Sequence, residues 1–257
     1  MPESLNIFTF LNYRQYEPRR ARAAVQITRL LNGALTLDLS CSVDSAPVIP
    51  ETPLGLAVRS ENQERDTRFQ KNVDRLHSVK DLCDASSVPF KGRVSNIRGH
   101  DLERQVPEDT DLIMMCRPTG QPSLVSRMLG DPYRRMVQAA QSPVWLLKPM
   151  ARAFRSVICL DPDHASLPRY GSWLKELGKT AGNTIELSEP DLDSAISFLA
   201  DECRKYQTYT EKACIDPPAL LIFSVSCLKG FPRAHPFTKY LRALAVSSPH
   251  HMLILPD

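Results

Sequence analysis

The feature that most constrains this chain is a pattern that runs once and then begins again. The stretch GDPYRRMVQA from Gly130 returns as AHPFTKYLRA from Ala234, an offset of 104 residues, while the opening apolar run near Asn6 is answered by SVICLDP from Ser156, an offset of 150. Self-similarity on this scale marks one supersecondary assembly built twice. The two offsets differ by 46 residues, about one strand and one helix, so the second copy is predicted to lack one βα unit. The division falls into residues 1–150 and 151–257, with KPMARAF, Lys148 to Phe154, as the seam.

Within each copy, strand-like and helix-like periods alternate. LNIFTFL, Leu5 to Leu11, reads as a buried strand. Pro18 then opens a helix with Ala21, Val25, Thr28 and Leu31 on one face, and Asn32-Gly33 closes it. From Ala34 to Val43 apolar and polar residues alternate, which describes a strand with one wet face. Ser60 and Gln63 form a capping box for a long helix whose stripe is Phe69, Val73, Leu76, Val79 and Cys83, read as core. Strands follow at Gly92 to Ile97, Asp111 to Cys116 and Pro143 to Leu147, with a helix opened by Asp131-Pro132 between the last two. The second copy offers a helix through Leu167, Tyr170, Leu174 and Leu177, a brief strand at Ile185 to Leu187, and a helix opened by Pro190. Strands at Leu220 to Ser224 and Met252 to Leu255 flank a helix from Pro236. This order implies two α/β domains, each a doubly wound parallel sheet with ligands near the carboxyl ends of the strands.

Composition narrows the function. The net charge is +3 with both signs interspersed, so no global field draws the chain to nucleic acid or an anionic membrane, and Arg19-Arg20-Ala21-Arg22 reads as a solvated helix face. Seven cysteines without CxxC spacing read as reduced thiols of a cytoplasmic protein, with Cys116 and Cys159 buried as packing residues. No apolar run is long enough to cross a bilayer.

The stretch TGQPSLVSRMLGDPY, Thr119 to Tyr133, carries the one candidate ligand loop: Gly120 and Gly130 stand ten positions apart, and the second leads directly into a helix start occupied by the acid Asp131. Glycine loops hold phosphate because bare amides approach closely and the next helix points its positive end at the anion. Together with the strand before it and the closing SPVWLLK, the segment Asp111 to Lys148 resembles the universal stress proteins, and specifically the tandem E-type members with two domains in one chain. The SVICLDPD restart supports that resemblance, which covers nearly the whole chain.

The resemblance implies a five-stranded parallel sheet, association of domains through the last strand, and in many members an ATP site of the form glycine, two residues, glycine, nine residues, glycine, then serine or threonine. Here Arg117 takes the first glycine's place, Gly120 and Gly130 the second and third, and Asp131 that of the hydroxyl residue. An acid at the end of the first strand is replaced by Asn12. In the second half Asp161 keeps that acid, while Ala234 and His235 replace the glycine and the hydroxyl residue.

A carboxylate at Asp131 serves as N-cap to the helix that Pro132 begins, satisfying the amides a phosphate would use. The expectation is therefore a non-catalytic, stress-associated interaction or regulatory module with a degraded ATP site and no cofactor. The alternative is a nucleotide-responsive switch that binds ATP or another phosphate-bearing ligand in the first domain only, through Asn12, Gly120, Gly130 and Asp131 with Arg117 and Arg127. Partners are expected to be another protein or a second copy, met through the last strand of each domain, where Trp145 reads either as the interface anchor within or between chains or as an ordinary core residue. Asp161 and Asp163 read as a turn, not a metal pair. His77 and His100 read as surface residues, and His250 and His251, adjacent on a strand, point to opposite faces and cannot easily chelate one ion. No nucleophile elbow, Walker lysine, dinucleotide fingerprint or zinc-protease pair is present, so no enzyme is expected.

Overall fold

The computed structural model describes residues 4–12, 16–40, 54–95, 106–116, 140–147, 156–160, 191–207, 219–225, 235–247 and 250–256. The chain divides into two compact units, Met1–Ala139 and Ala140–Asp257.

The first unit is built on four parallel strands, β1 (Asn6–Asn12), β2 (Ala34–Ser40), β3 (Phe90–Ser95) and β4 (Leu112–Cys116), in the order β3-β2-β1-β4. Between β1 and β2 runs α1 (Pro18–Leu30), and between β2 and β3 runs α2 (Leu54–Ala85). Pro18 occupies the first turn of α1, where its missing N–H costs nothing. The helix buries Arg20, Ala21, Ala23, Ala24, Val25, Ile27 and Thr28, so Arg20, expected on a solvated face, lies inside, with its Nε 3.2 Å from Glu17 Oε2. It ends as the Asn32-Gly33 signal predicts: Asn32 has a left-handed φ of 51°, and the Gly33 amide bonds back to the Thr28 carbonyl at 3.0 Å. A Cβ on Gly33 would lie 2.7 Å from Ile7 Cδ1 and 2.8 Å from the Leu5 carbonyl oxygen, so close backbone approach requires the glycine.

Further sequence expectations shift. The long helix begins at Leu54, ahead of the Ser60–Gln63 box, because helical residues before Ser60 extend the same ladder. Its stripe sinks progressively: Val79 and Cys83 are buried, Val73 and Leu76 half-buried, and Phe69 stays 51 % exposed. The expected wet face of β2 is closed at its carboxyl end, with Asp38 and Ser40 as buried as Leu37 and Leu39, while Ala34 and Thr36 stay partly exposed. The strand expected from Gly92 begins at Phe90.

The second unit contains β5 (Val144–Leu147), β6 (Ser156–Cys159), β7 (Ala219–Ser224) and β8 (His251–Leu255), with α3 (Leu192–Gln207) and α4 (Pro236–Ser247) packed on each other. β6, β7 and β8 are parallel, and β5 runs antiparallel to β8 with Val144 opposite Ile254, Trp145 opposite Leu253 and Leu146 opposite Met252. Every residue of β7 and β8 is buried, which explains their unbroken apolar runs. Asp191 caps α3 by accepting the Ser194 amide at 2.8 Å. Of the expected α3 face, Ala195, Leu199 and Cys203 are buried, while Leu192 and Ile196 are half-buried. The expected helix through Leu167 and strand at Ile185 lie outside the described residues.

Candidate functional site

In the first unit the chain steps from β1 to β2 to β3 in one direction, then returns to place β4 on the other side of β1. The order therefore reverses between β1 and β4, and the crevice at their carboxyl ends is where open parallel sheets bind ligands. Asn12 is the last residue of β1. The register sets Phe10 beside Met115, so the chain leaving β4 departs at the level of the end of β1. The loop residues Arg117, Gly120, Arg127, Gly130 and Asp131 follow that departure and lie outside the described residues, as does Asp161 beyond β6.

Strand alternation and register put Phe10, Asn12, Asp38, Ser40, Arg93 and Ser95 on one face at this carboxyl edge. The opposite face carries Gly92, whose absent side chain leaves room for Leu76 of α2; a Cβ there would fall 2.5 Å from Leu76 Cδ1. On the polar face the Asp38 carboxylate is fully buried. Arg93 Nε donates to its Oδ2 at 2.6 Å and Ser95 Oγ donates to its Oδ1 at 2.5 Å. Both oxygens are thus engaged, and the cluster ties β2 to β3. Sequence reading missed it because an acid on an alternating strand normally faces water. The available signal was Arg93 and Ser95, spaced two apart on the next strand.

The second unit holds a different arrangement around β8. Trp145 is fully buried, its ring edge-on to His251 at 5.8 Å between centroids, and its indole N–H donates to His251 Nδ1 at 3.4 Å. His250 faces the other way, towards α3, as expected for neighbours on a strand. Its Nδ1 accepts the Ala219 amide at 2.9 Å and its Nε2 meets Glu202 Oε2 at 2.8 Å, while Lys205 Nζ holds Glu202 Oε1 at 2.6 Å. Burial pushes the Glu202 carboxyl up, but the hydrogen bonds from Lys205 and His250, with the Lys205 charge, outweigh it and hold the group below its usual range.

Among the described residues thiol chemistry is muted. Cys83, Cys159 and Cys203 are buried and in no disulfide; burial, with Asp84 nearby, pushes the Cys83 thiol up to about 11, and burial raises Cys203, whose Sγ donates to the Tyr240 carbonyl. Neither is a thiolate nucleophile at neutral pH. Among the described residues no group of three His, Cys, Asp or Glu is placed to hold a metal ion, and no helix is long and apolar enough to cross a membrane.

Comparison with solved structures shows what fold this is. A universal stress protein from Archaeoglobus fulgidus DSM 4304 superposes with a TM-score of 0.61 at 11 % identity, over 97 % of this chain and 96 % of that one. A functionally unknown protein from Pseudomonas aeruginosa PAO1 gives a TM-score of 0.51 at 12 % identity, over 99 % and 93 % of the two chains. The chain has the mixed α/β fold of the universal stress proteins. No protein-family model matches it, and no curated protein matches it in sequence.

Proposed function

We propose that this chain is a tandem universal-stress-type protein that acts without catalysis, as a cytoplasmic interaction or regulatory module whose first-unit ATP site is degraded. The observation that carries the reading is Asp131, which follows Gly130 where the resemblance calls for a hydroxyl residue. A carboxylate at a helix start contributes about 0.5–2 kcal/mol as a cap, and it would repel each phosphate charge by about 4 kcal/mol at a surface dielectric and 4 Å separation. Micromolar binding is worth only about 8 kcal/mol. At the switch point itself the family's acid is replaced by the neutral amide of Asn12, and among the described residues the carboxylate on the same face, Asp38, is already engaged by Arg93 and Ser95.

Support for the tandem reading comes from the alignment with the Archaeoglobus fulgidus chain, which spans both units, and from β5 and β8, the closing strands of the two repeats, which pair with each other. In this reading Trp145 anchors an interface inside the chain. β8 has both edges hydrogen-bonded, so partner proteins meet other surfaces.

Thermal shift of the full chain with millimolar ATP and magnesium tests the proposal. The melting point is expected to stay where it is, whereas a ligand at a hundred times its dissociation constant would stabilise by about 2.7 kcal/mol. Replacing Asp131→Ser is expected to restore a shift. A shift already present in the parent and lost in Gly130→Val would establish the nucleotide-switch reading, which Arg117 and Arg127 beside the loop favour.

A further inference from the structure

Two adjacent histidines enter β8 and both are buried, His250 at 4 % exposure and His251 at 1 %. What fixes their chemistry is the kind of donor that reaches each ring. His250 Nδ1 receives the main-chain amide of Ala219 and His251 Nδ1 receives the indole nitrogen of Trp145. Amide and indole N–H groups can only donate. Each Nδ1 must therefore offer its lone pair, so both rings are neutral and carry their proton on Nε2. For His250 that proton points at Glu202 Oε2.

We propose that His250 and His251 form an acid-sensitive latch, holding β8 to β7 and β5 while both rings are neutral and loosening it when they take up protons. A second proton can enter only at Nδ1, where it would meet an N–H head-on, so protonation requires the bond to Ala219 or to Trp145 to break. From α3, Glu202 and Lys205 are the charged groups set against His250. β7 contributes the Ala219 amide and β5 the Trp145 indole, neither of which titrates. The Glu202 charge favours the protonated His250 ring and Lys205 offsets part of that pull, while a proton entering at Nδ1 must still displace the Ala219 amide.

Rings locked neutral when closed and free to protonate when open bind fewer protons in the closed state. The latch is thus at full strength above about pH 7 and weakens as pH falls below the ordinary histidine value of about 6.5. Between pH 7.5 and 5.5 each ring lowers the closing constant about tenfold, and the pair about a hundredfold.

Long-range proton–nitrogen NMR of histidine-labelled full chain reads the rings directly. The expected result is two neutral rings with Nε2–H at pH 7.5 that show no titration while the strand stays paired. A ring with its proton on Nδ1, or one titrating near pH 6.5 with the fold intact, overturns the latch. Amide exchange over 219–225 and 250–256, corrected for intrinsic rates, is expected to lose about a hundredfold protection from pH 7.5 to 5.5. The double variant His250→Gln/His251→Gln is expected to show almost none of that pH dependence. A double variant with the parent's pH dependence also overturns the proposal, and should the variant fail to fold, the ring signals still decide.

Discussion

Asp38 and Arg93 lie directly across from each other on β2 and β3, with Oδ2 2.6 Å from Nε, the acid fully buried and the base 47 % exposed. That asymmetry predicts unequal losses. Arg93→Ala strands a carboxylate away from water and is expected to cost about 3–5 kcal/mol. Asp38→Ala leaves a guanidinium that can swing into solvent and is expected to cost about 1–3 kcal/mol. Urea unfolding of the two variants checks the order, and equal losses would mean that the acid is not the constrained partner.

Trp145 fills the junction of β5 and β8, so truncation leaves a large void. Trp145→Ala is expected to destabilise by about 3–5 kcal/mol. Trp145→Phe retains most of the packing and removes the indole donor, for about 1–2 kcal/mol. Denaturant midpoints followed by circular dichroism measure both.

The stripe on α2 is graded, and its two ends should behave differently. Phe69, half in solvent, is expected to tolerate Phe69→Ser within about 0.5 kcal/mol, whereas Val79→Ala, in the core, is expected to cost about 1–3 kcal/mol. A loss at Phe69 as large as that at Val79 would show that the exposed ring is covered in solution.

Glu202 supplies an acid limb separate from the histidines. Because its folded carboxyl is held below the usual range, its contribution is complete above the ordinary glutamate value of about 4.3 and is lost as pH falls through the lowered folded value. Glu202→Gln is therefore expected to flatten the stability profile below about pH 4.5 while leaving the slope between pH 7 and 5.5 in place. Thermal melts across that range separate the two windows.

Much of this fold was legible because local signals and global packing agree. Pro18 and Asn32-Gly33 bracket α1 almost to the residue, and Leu35, Leu37 and Leu39 mark the buried face of β2. His250 and His251 are strand neighbours, so their opposite directions follow from geometry alone. What escaped was pairwise and long-range. Asp38 looks solvated until Arg93 is known to lie beside it, and α2 starts at Leu54 although the stronger capping pair stands later, since a box inside a continuing helix stops nothing. The exposure of Phe69 depends on how far the sheet extends beneath α2, which periodicity does not encode. For the candidate site, topology places Asn12 at the switch point.

β8 follows the other described strands in chain order, yet it occupies an interior position between β5 and β7. A chain cleaved ahead of His251 would not shed a tail; it would open two hydrogen-bonding edges at once, the kind of surface that recruits chaperones and seeds aggregates. The same geometry makes the second unit suited to fragment complementation, in which a short peptide spanning 250–256 restores the missing strand.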